Sequence, residues 1–255
     1  MLFVVDIGNT HTTFGLFDGD NLRCDWRMET RPERTADELA ATLKGLFELE
    51  GLSIAKVRSA IISSVVPPAT LPMEKLLSKY FKVQGLVVGP GMRTGMPILY
   101  ENPKDLGADR IVNAVAAYAR WSQGAIVVDF GTATTLDVVT AKGEYAGGVI
   151  TPGLLLSANA LYRATAKLPK VEIARPKCVV ATNTVNSIQA GLVFGYAGMI
   201  DSLVRRICAE VSYTPKVVAT GGLGALVAKE SETIEEYDEL LTLRGLKLLH
   251  DRNIG

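Results

Sequence analysis

The sequence predicts an α/β protein of two similar halves, each a mixed β-sheet with flanking helices, and a cleft between the halves. Two observations lead to this fold class. The phrase VVDIGNTHTTFG at residues 4–15 returns as VVDFGTATTLDVV at residues 127–139, half a chain later. In both halves the predicted elements follow in the same order, namely a strand, a glycine turn and two further strands. Since 255 residues suffice for two ordinary domains, we expect a duplicated domain, with copies at 1–118 and 119–255.

The first half begins with the apolar run LFVVD at residues 2–6, which is typical of a buried strand. Two more strands are predicted on either side of a turn at 18–20. Thr35 and Glu38 have the spacing of a capping box, which predicts a helix that runs to about Glu50. The remaining elements predicted in this half are a strand over 57–66, a helix over 70–81, a strand over 84–89 and a helix over 107–121.

Residues 89–106 interrupt this pattern. The segment GPGMRTGMPILYENPKDL holds three glycines and three prolines and has no hydrophobic period. An ordered loop of this length inside a compact domain usually has a function, so we favour that interpretation over a flexible connector.

The second half repeats the order of the first. AIVVDFGT predicts a strand and a turn, and two strands follow on either side of Lys142-Gly143. Pro152-Gly153 indicates a helix start, since proline suits the first turn of a helix. The elements predicted after it are a long helix over 183–212 that contains three glycines, a strand in PKVVATGGLG and a C-terminal helix.

The composition excludes several classes of protein. Basic and acidic residues balance at 27 each, so the net charge predicts no nucleic-acid partner and no attraction to an anionic membrane. Three distant cysteines and two histidines provide no zinc-site spacing, and they predict reduced thiols in a cytoplasmic protein. Asp6 interrupts the N-terminal apolar run, and no apolar stretch is long enough to predict a transmembrane helix.

The repeated motif contains residue types that can bind a cation and an anion. An aspartate at a strand end can hold hydrated magnesium, while the glycine and threonines after it offer amides and hydroxyls to an anion. A single Asp-x-Gly turn is common turn chemistry, but two at half-chain spacing predict a polyphosphate held from both sides. Gly221-Gly222 suits a place where backbone passes close to a nucleoside. The sequence has neither a P-loop motif nor a dinucleotide-binding glycine motif.

Six motifs in order resemble the type III pantothenate kinases of the acetate and sugar kinase, Hsp70 and actin superfamily. They are DIGNTHTTFG (6–15), GPGMRTGMPI (89–98), NPKDLGADRIVNA (102–114), DFGTATTLDVV (129–139), GGVITPG (147–153) and ATGG (219–222). The resemblance implies two actin-like (ribonuclease H-like) domains and ATP-dependent phosphorylation of pantothenate, the first step toward coenzyme A. It also implies a cytoplasmic homodimer that uses magnesium and a monovalent cation, potassium or ammonium.

The resemblance also implies roles for individual residues. Asp109 matches the proton acceptor, and Asp129 matches the ligand of the monovalent cation. Asp6 is our candidate for magnesium. The residues that match ATP-binding positions are Asp6, Ile7, Gly8, Asn9, Thr10, His11, Thr12, Thr13 and Thr132. Those that match substrate-binding positions are Tyr100, Gly107, Ala108, Asp109, Arg110 and Thr184.

The residues themselves are consistent with these roles. Phosphoryl transfer depends on positioning and charge neutralisation, and neither hairpin contains a lysine, so bound cations must neutralise the phosphates. Asp109 can accept the proton of an acceptor hydroxyl, which becomes acidic late in a loose transition state. Arg110 can pair with a carboxylate or a phosphate. Without the resemblance, an Asp-Arg pair at a helix start would be an ordinary surface ion pair.

Three other functions stay open at this point, because a fold does not determine a substrate. One is a different small-molecule kinase of the same fold. Another is a nucleotide-gated binding or regulatory protein, as Hsp70 and actin are, and a third is a phosphatase-like relative with water as the acceptor. Asp109 favours transfer to an acceptor.

Overall fold

The computed structural model describes residues 1–254, which form two compact units. The first unit contains the described residues 1–96, 101–116 and 242–254, and the second contains 97–100 and 117–241. The division after residue 116 and the predicted domain boundary after residue 118 lie in the same helix, Ala108–Trp121. The predicted domain limits themselves stay a prediction.

The first unit has a five-stranded mixed sheet with the strand order β3-β2-β1-β4-β5. Strands β1 to β3 form an antiparallel meander, and β4 and β5 add to it in parallel. The strands are β1 (Leu2–Ile7), β2 (His11–Asp18), β3 (Asn21–Glu29), β4 (Ser59–Ser64) and β5 (Gly85–Val87). All five were predicted within a few residues.

Helix α1 (Ala36–Leu49) begins at the predicted capping box. The Thr35 hydroxyl accepts from the backbone amide of Glu38, and the Glu38 carboxylate accepts from the Thr35 amide at 2.8 Å. Its buried face, which includes Phe47, packs with Phe3 and Phe81 in the core of the first unit. Helix α2 (Pro67–Leu76) starts earlier than predicted, because proline fits the first turn of a helix and does not end the preceding strand there.

The second unit repeats the topology of the first, with the strand order β10-β9-β6-β7-β8. Strands β6 to β8 form the antiparallel meander, and β9 pairs with β6 in parallel, as β4 pairs with β1. The strands are β6 (Ala125–Phe130), β7 (Ala133–Val139), β8 (Tyr145–Pro152), β9 (Lys216–Thr220) and β10 (Glu236–Tyr237). The predicted duplication is therefore confirmed.

The other helices are α3 (Ala108–Trp121), α4 (Leu154–Ala164), α5 (Thr184–Glu210), α6 (Gly224–Ala228) and α7 (Leu241–Ile254). Sequence patterns did not predict the short elements α6 and β10. Among the described residues, α5 is the one helix whose length and composition would suffice to cross a membrane. Its residues Ala197, Ile200 and Val204 pack against Ile126 and Val128 of the sheet, which is the arrangement of a core helix.

Candidate active site

The turn between β1 and β2 is a narrow backbone loop. The Gly8 amide donates to the His11 carbonyl at 3.0 Å, and a Cβ on Gly8 would lie 3.0 Å from the same oxygen. The Gly8 carbonyl accepts from the Thr30 hydroxyl at 2.7 Å. A larger residue at position 8 would therefore crowd the turn, and Thr30, the residue after β3, holds the loop through its side chain.

The predicted ATP loop, residues 6–13, presents its residues in two ways. Asn9 and His11 are exposed, and Thr10 is half-buried. Ile7 and Thr12 are buried, and the Thr12 hydroxyl lies 2.9 Å from that of Thr30. Thr12 therefore supports the loop with its side chain, while the turn residues are placed to offer their amides to an anion.

Asp6, the last polar residue of β1, lies near Asp109 in the first unit. Burial and, secondarily, the negative charge of Asp109 raise the pKa of Asp6 to about 7. Ser63 is the register partner of Asp6 on β4, and its hydroxyl partly opposes the shift without a well-formed hydrogen bond to the carboxylate. The negative charge of Asp109 thus acts on Asp6, and a cation bound near Asp6 would offset this repulsion.

The segment Gly107–Arg110 opens α3 and orients Asp109. The Arg110 amide donates to Asp109 Oδ1 at 2.8 Å. Burial raises the pKa of Asp109, although the Arg110 amide and charge oppose the shift. A Cβ on Gly107 would lie 2.6 Å from Asp109 Oδ1, so a larger residue there would displace the carboxylate. Asp109 is consequently a fixed carboxylate that binds a proton more strongly than an ordinary aspartate.

The second hairpin, between β6 and β7, repeats the first around Asp129. Asp129 is the register partner of Thr220 on the parallel strand β9. Gly221, with φ of +89°, brings backbone so close that a Cβ there would lie 2.6 Å from Asp129 Oδ1. Gly153 packs against the turn and donates to the Thr132 carbonyl at 3.1 Å. Carboxylate and carbonyl oxygens are the ligands that hard cations prefer, so this turn suits one.

Tyr100 and Thr184 both lie in the second unit. The ring of Tyr100 packs edge-on against Tyr145, with centroids 6.2 Å apart. Thr184 is the first residue of α5, after the cap Asn183, whose side chain accepts from the Asn186 amide at 2.9 Å. It lines an open groove of 760 Å³ together with Leu161 and other residues of 168–192.

The structure therefore brings Asp6 together with Gly107–Arg110 in the first unit, and it places Asp129, Thr132, Tyr100 and Thr184 in the second. Residues 1–254 contain no cluster of three or more side chains of the kind that holds zinc. The pair of carboxylates fits magnesium instead, since that ion takes few protein ligands and keeps phosphate oxygens and water.

Sequence patterns missed Ser63 and the pair Asp137 and Tyr145. Ser63 is the second-last residue of β4 and lies beside the end of β1, and two adjacent serines in the predicted strand were the available signal. Asp137 was visible as a charged residue inside the apolar strand β7, which is unusual for a position that is fully buried.

Comparison with known proteins gives one family. The model of the type III pantothenate kinase family matches residues 2–206. A protein of Anaeromyxobacter sp. (strain K) called type III pantothenate kinase is 56% identical over 253 residues, which are 99% of this chain and 100% of the relative.

Solved structures resemble the fold. A Baf family transcriptional activator from Campylobacter jejuni superposes with a TM-score of 0.60 at 19% identity, over 98% of both chains. The activator of 2-hydroxyisocaproyl-CoA dehydratase from Clostridium difficile, solved with ADPNP, gives 0.57 at 13% identity, over 98% of this chain and 95% of that one. At such identities the likeness concerns the actin-like fold alone.

Proposed function

This chain belongs to the type III pantothenate kinase family and phosphorylates pantothenate with ATP in coenzyme A biosynthesis, and from this premise we propose which residues perform the transfer. The observation that carries the proposal is the neighbouring pair Asp6 and Asp109, because it combines a cation ligand with a proton acceptor in one unit.

Asp109 acts as the general base. It accepts the proton of the pantothenate hydroxyl while that oxygen bonds to the γ-phosphorus of ATP and the bond from phosphorus to the leaving ADP oxygen breaks. Its half-buried carboxylate has a raised pKa, because the protein removes much of its solvent, and this makes it a stronger base than an exposed aspartate. The hydrogen bond from the Arg110 amide to Oδ1 holds the carboxylate in one orientation.

Asp6 is the magnesium ligand of the first hairpin. A bound Mg²⁺ would neutralise phosphate charge during transfer. Asp6 binds a cation best when ionised, and its raised pKa of about 7 means that the ion competes with a proton near neutral pH. The loop from Ile7 to Thr13 offers its amides and hydroxyls to the phosphates of ATP.

The second hairpin contributes Thr132 to ATP and Asp129 to a monovalent cation, potassium or ammonium. Support comes from the crowding of Asp129 by the backbone at Gly221 and from the absence of lysine in both hairpins. A cation is thus the available source of positive charge there.

Pantothenate contacts Tyr100, the segment Gly107–Arg110 and Thr184. Arg110, a buried guanidinium beside the base, is suited to the carboxylate of pantothenate. We expect the enzyme in the cytoplasm.

The active unit is a homodimer that associates through α5. Gly191, Gly195 and Gly198 are exposed, and each has open space where a Cβ would stand. Exposed apolar residues flank the same region, among them Leu156 at 51% and Val185 at 42%. A helix surface of glycines allows another helix to approach closely, so a second copy of α5 is the expected partner.

A coupled assay of ADP release tests the function. Release should depend on pantothenate, and it should be faster in potassium or ammonium than in sodium. Equal ADP release with and without pantothenate would contradict the transfer, whereas equal rates in the three salts would contradict only the monovalent site.

A further inference from the structure

A buried polar pair in the second unit takes no part in the transfer described above. Asp137 and Tyr145 are both fully buried, and the Tyr145 hydroxyl donates to Asp137 Oδ1 at 2.7 Å. Asp137 Oδ2 accepts from the Thr135 hydroxyl at 3.0 Å. A buried carboxylate is costly unless it is hydrogen-bonded, so a pair of this kind has a role that an apolar pair would not fill.

The backbone of Tyr145 holds the end of the long loop. The Leu99 amide donates to the Tyr145 carbonyl at 2.8 Å, and the Tyr145 amide donates to the Pro97 carbonyl at 2.8 Å. Ile98 thereby pairs with Tyr145 as an isolated parallel bridge. Tyr100 is the next residue after this bridged segment, so Tyr145 determines where Tyr100 leaves the sheet.

The side chain of Tyr145 adds a second contact. Its ring packs edge-on against the half-buried ring of Tyr100, with an interplanar angle of 65°. The hydrogen bond from the Tyr145 hydroxyl to Asp137 restricts the rotation of the Tyr145 ring. That ring in turn contacts one side of the Tyr100 ring.

We propose that Asp137 and Tyr145 are positioning residues that hold Tyr100 in its pantothenate-binding orientation. This inference rests on the proposed role of Tyr100 in binding pantothenate. A positioning role predicts a selective effect on pantothenate, because neither residue is among those assigned to ATP and Tyr145 contacts the segment that leads to Tyr100. A purely structural role predicts a loss of stability with no preference between the two substrates.

The test is Tyr145→Phe, which removes the hydroxyl and keeps the ring. We expect the KM for pantothenate to rise about 10-fold, with the KM for ATP and kcat changed less than about 2-fold. Tyr213→Phe is the matched control, because Tyr213 in the same unit donates to the Val139 carbonyl at 3.0 Å. The control should leave both KM values unchanged.

Tyr100→Ala separates this inference from the proposed function. It should raise the KM for pantothenate, and Tyr145→Phe should then add nothing further in the double variant. If Tyr100→Ala has no effect, the role of Tyr100 and this inference both fail. If it raises the KM while Tyr145→Phe does not, or if the two effects add fully, only the inference fails.

Asp137→Asn provides a second route should Tyr145→Phe fail to fold. Asparagine has one acceptor oxygen, so it cannot accept from both Tyr145 and Thr135 as the two carboxylate oxygens do. The KM for pantothenate should therefore rise by about 3-fold while the KM for ATP stays constant. Equal changes in both KM values, or a drop in kcat alone, would overturn the positioning role.

Discussion

Replacing Asp6 with asparagine should stabilise the first unit at alkaline pH while it impairs the enzyme. Burial and Asp109 raise the pKa of Asp6 from 3.8 to about 7, so the folded state holds a proton that the unfolded state releases. The free energy of unfolding of the wild type therefore falls as pH rises from about 4 to 7, and it stays low above that range. Asparagine does not titrate, so position 6 causes no such fall in the free energy of unfolding of the variant.

The size of the effect follows from the pKa shift. A shift from 3.8 to about 7 corresponds to a ceiling of about 4 kcal/mol at pH 8. Asp6 keeps part of its surface accessible, so solvent screening reduces the difference, and we expect a gain of ~2–4 kcal/mol for Asp6→Asn. Below pH 4 the two proteins should be about equally stable, because Asp6 is then protonated in both states.

Urea unfolding without divalent ions, at pH 4 and pH 8, measures this difference. Trp26 packs on Phe47 in the core of the first unit, so its fluorescence reports the unfolding of that unit in a Trp121→Phe background. Asp18→Asn is the control, since Asp18 is exposed at the far end of β2. Equal stability of wild type and Asp6→Asn at pH 8, or a less stable variant, would refute the reasoning.

Magnesium adds a second readout to the same experiment. A ligand that binds only the folded state stabilises it, so Mg²⁺ at pH 8 should raise the free energy of unfolding of the wild type. The gain should vanish in Asp6→Asn. An equal gain in both proteins would place magnesium elsewhere.

Three further outcomes are expected. Asp109→Asn should lower kcat by roughly 10²-fold or more without a change in fold, and a turnover near that of the wild type would contradict its role as base. Asp129→Ala should remove the response of kcat to potassium in enzyme stripped of monovalent ions, whereas an unaltered titration curve would argue against a cation there. Gly195→Leu should shift sedimentation toward monomer across a dilution series, with activity lost in parallel, while Gly195→Ala should stabilise the exposed helix by up to about 1 kcal/mol. A dimer of Gly195→Leu that resists dilution as well as the wild type would place the interface elsewhere.

Local patterns in the sequence were sufficient for the elements and for the duplication. The capping box at Thr35 and Glu38 forms as predicted, because both partners lie within one helical turn. The two meanders follow from alternating residues and glycine turns, which depend on neighbours in the chain. The long helix predicted over 183–212 forms as α5 despite its three glycines. The start of α2 was placed three residues too late, although a proline at the first turn of a helix was a local signal for it.

The long loop shows how distant segments fix a functional region. The side chain of Asn253 in α7 accepts from the Arg93 amide and donates to the Arg93 carbonyl, both at 3.0 Å. Arg252 donates to the Thr94 carbonyl beside it. No spacing in the sequence links residues 93 and 253, so the function of the C-terminal helix was not predictable.

The two hairpins, their aspartates and the family motifs could be predicted from local sequence, because each depends on residues within a few positions of one another. Only the tertiary structure placed Asp6 beside Asp109, Ser63 beside Asp6 and Tyr145 between Asp137 and Tyr100. The physical reason is that these contacts arise from the parallel pairing of β1 with β4, the packing of α3, and the addition of residues 97–99 to β8. Burial in these contacts then raises the pKa of Asp6 and Asp109. These shifts depend on the tertiary surroundings of the two side chains and cannot be predicted from the neighbouring residues in the sequence.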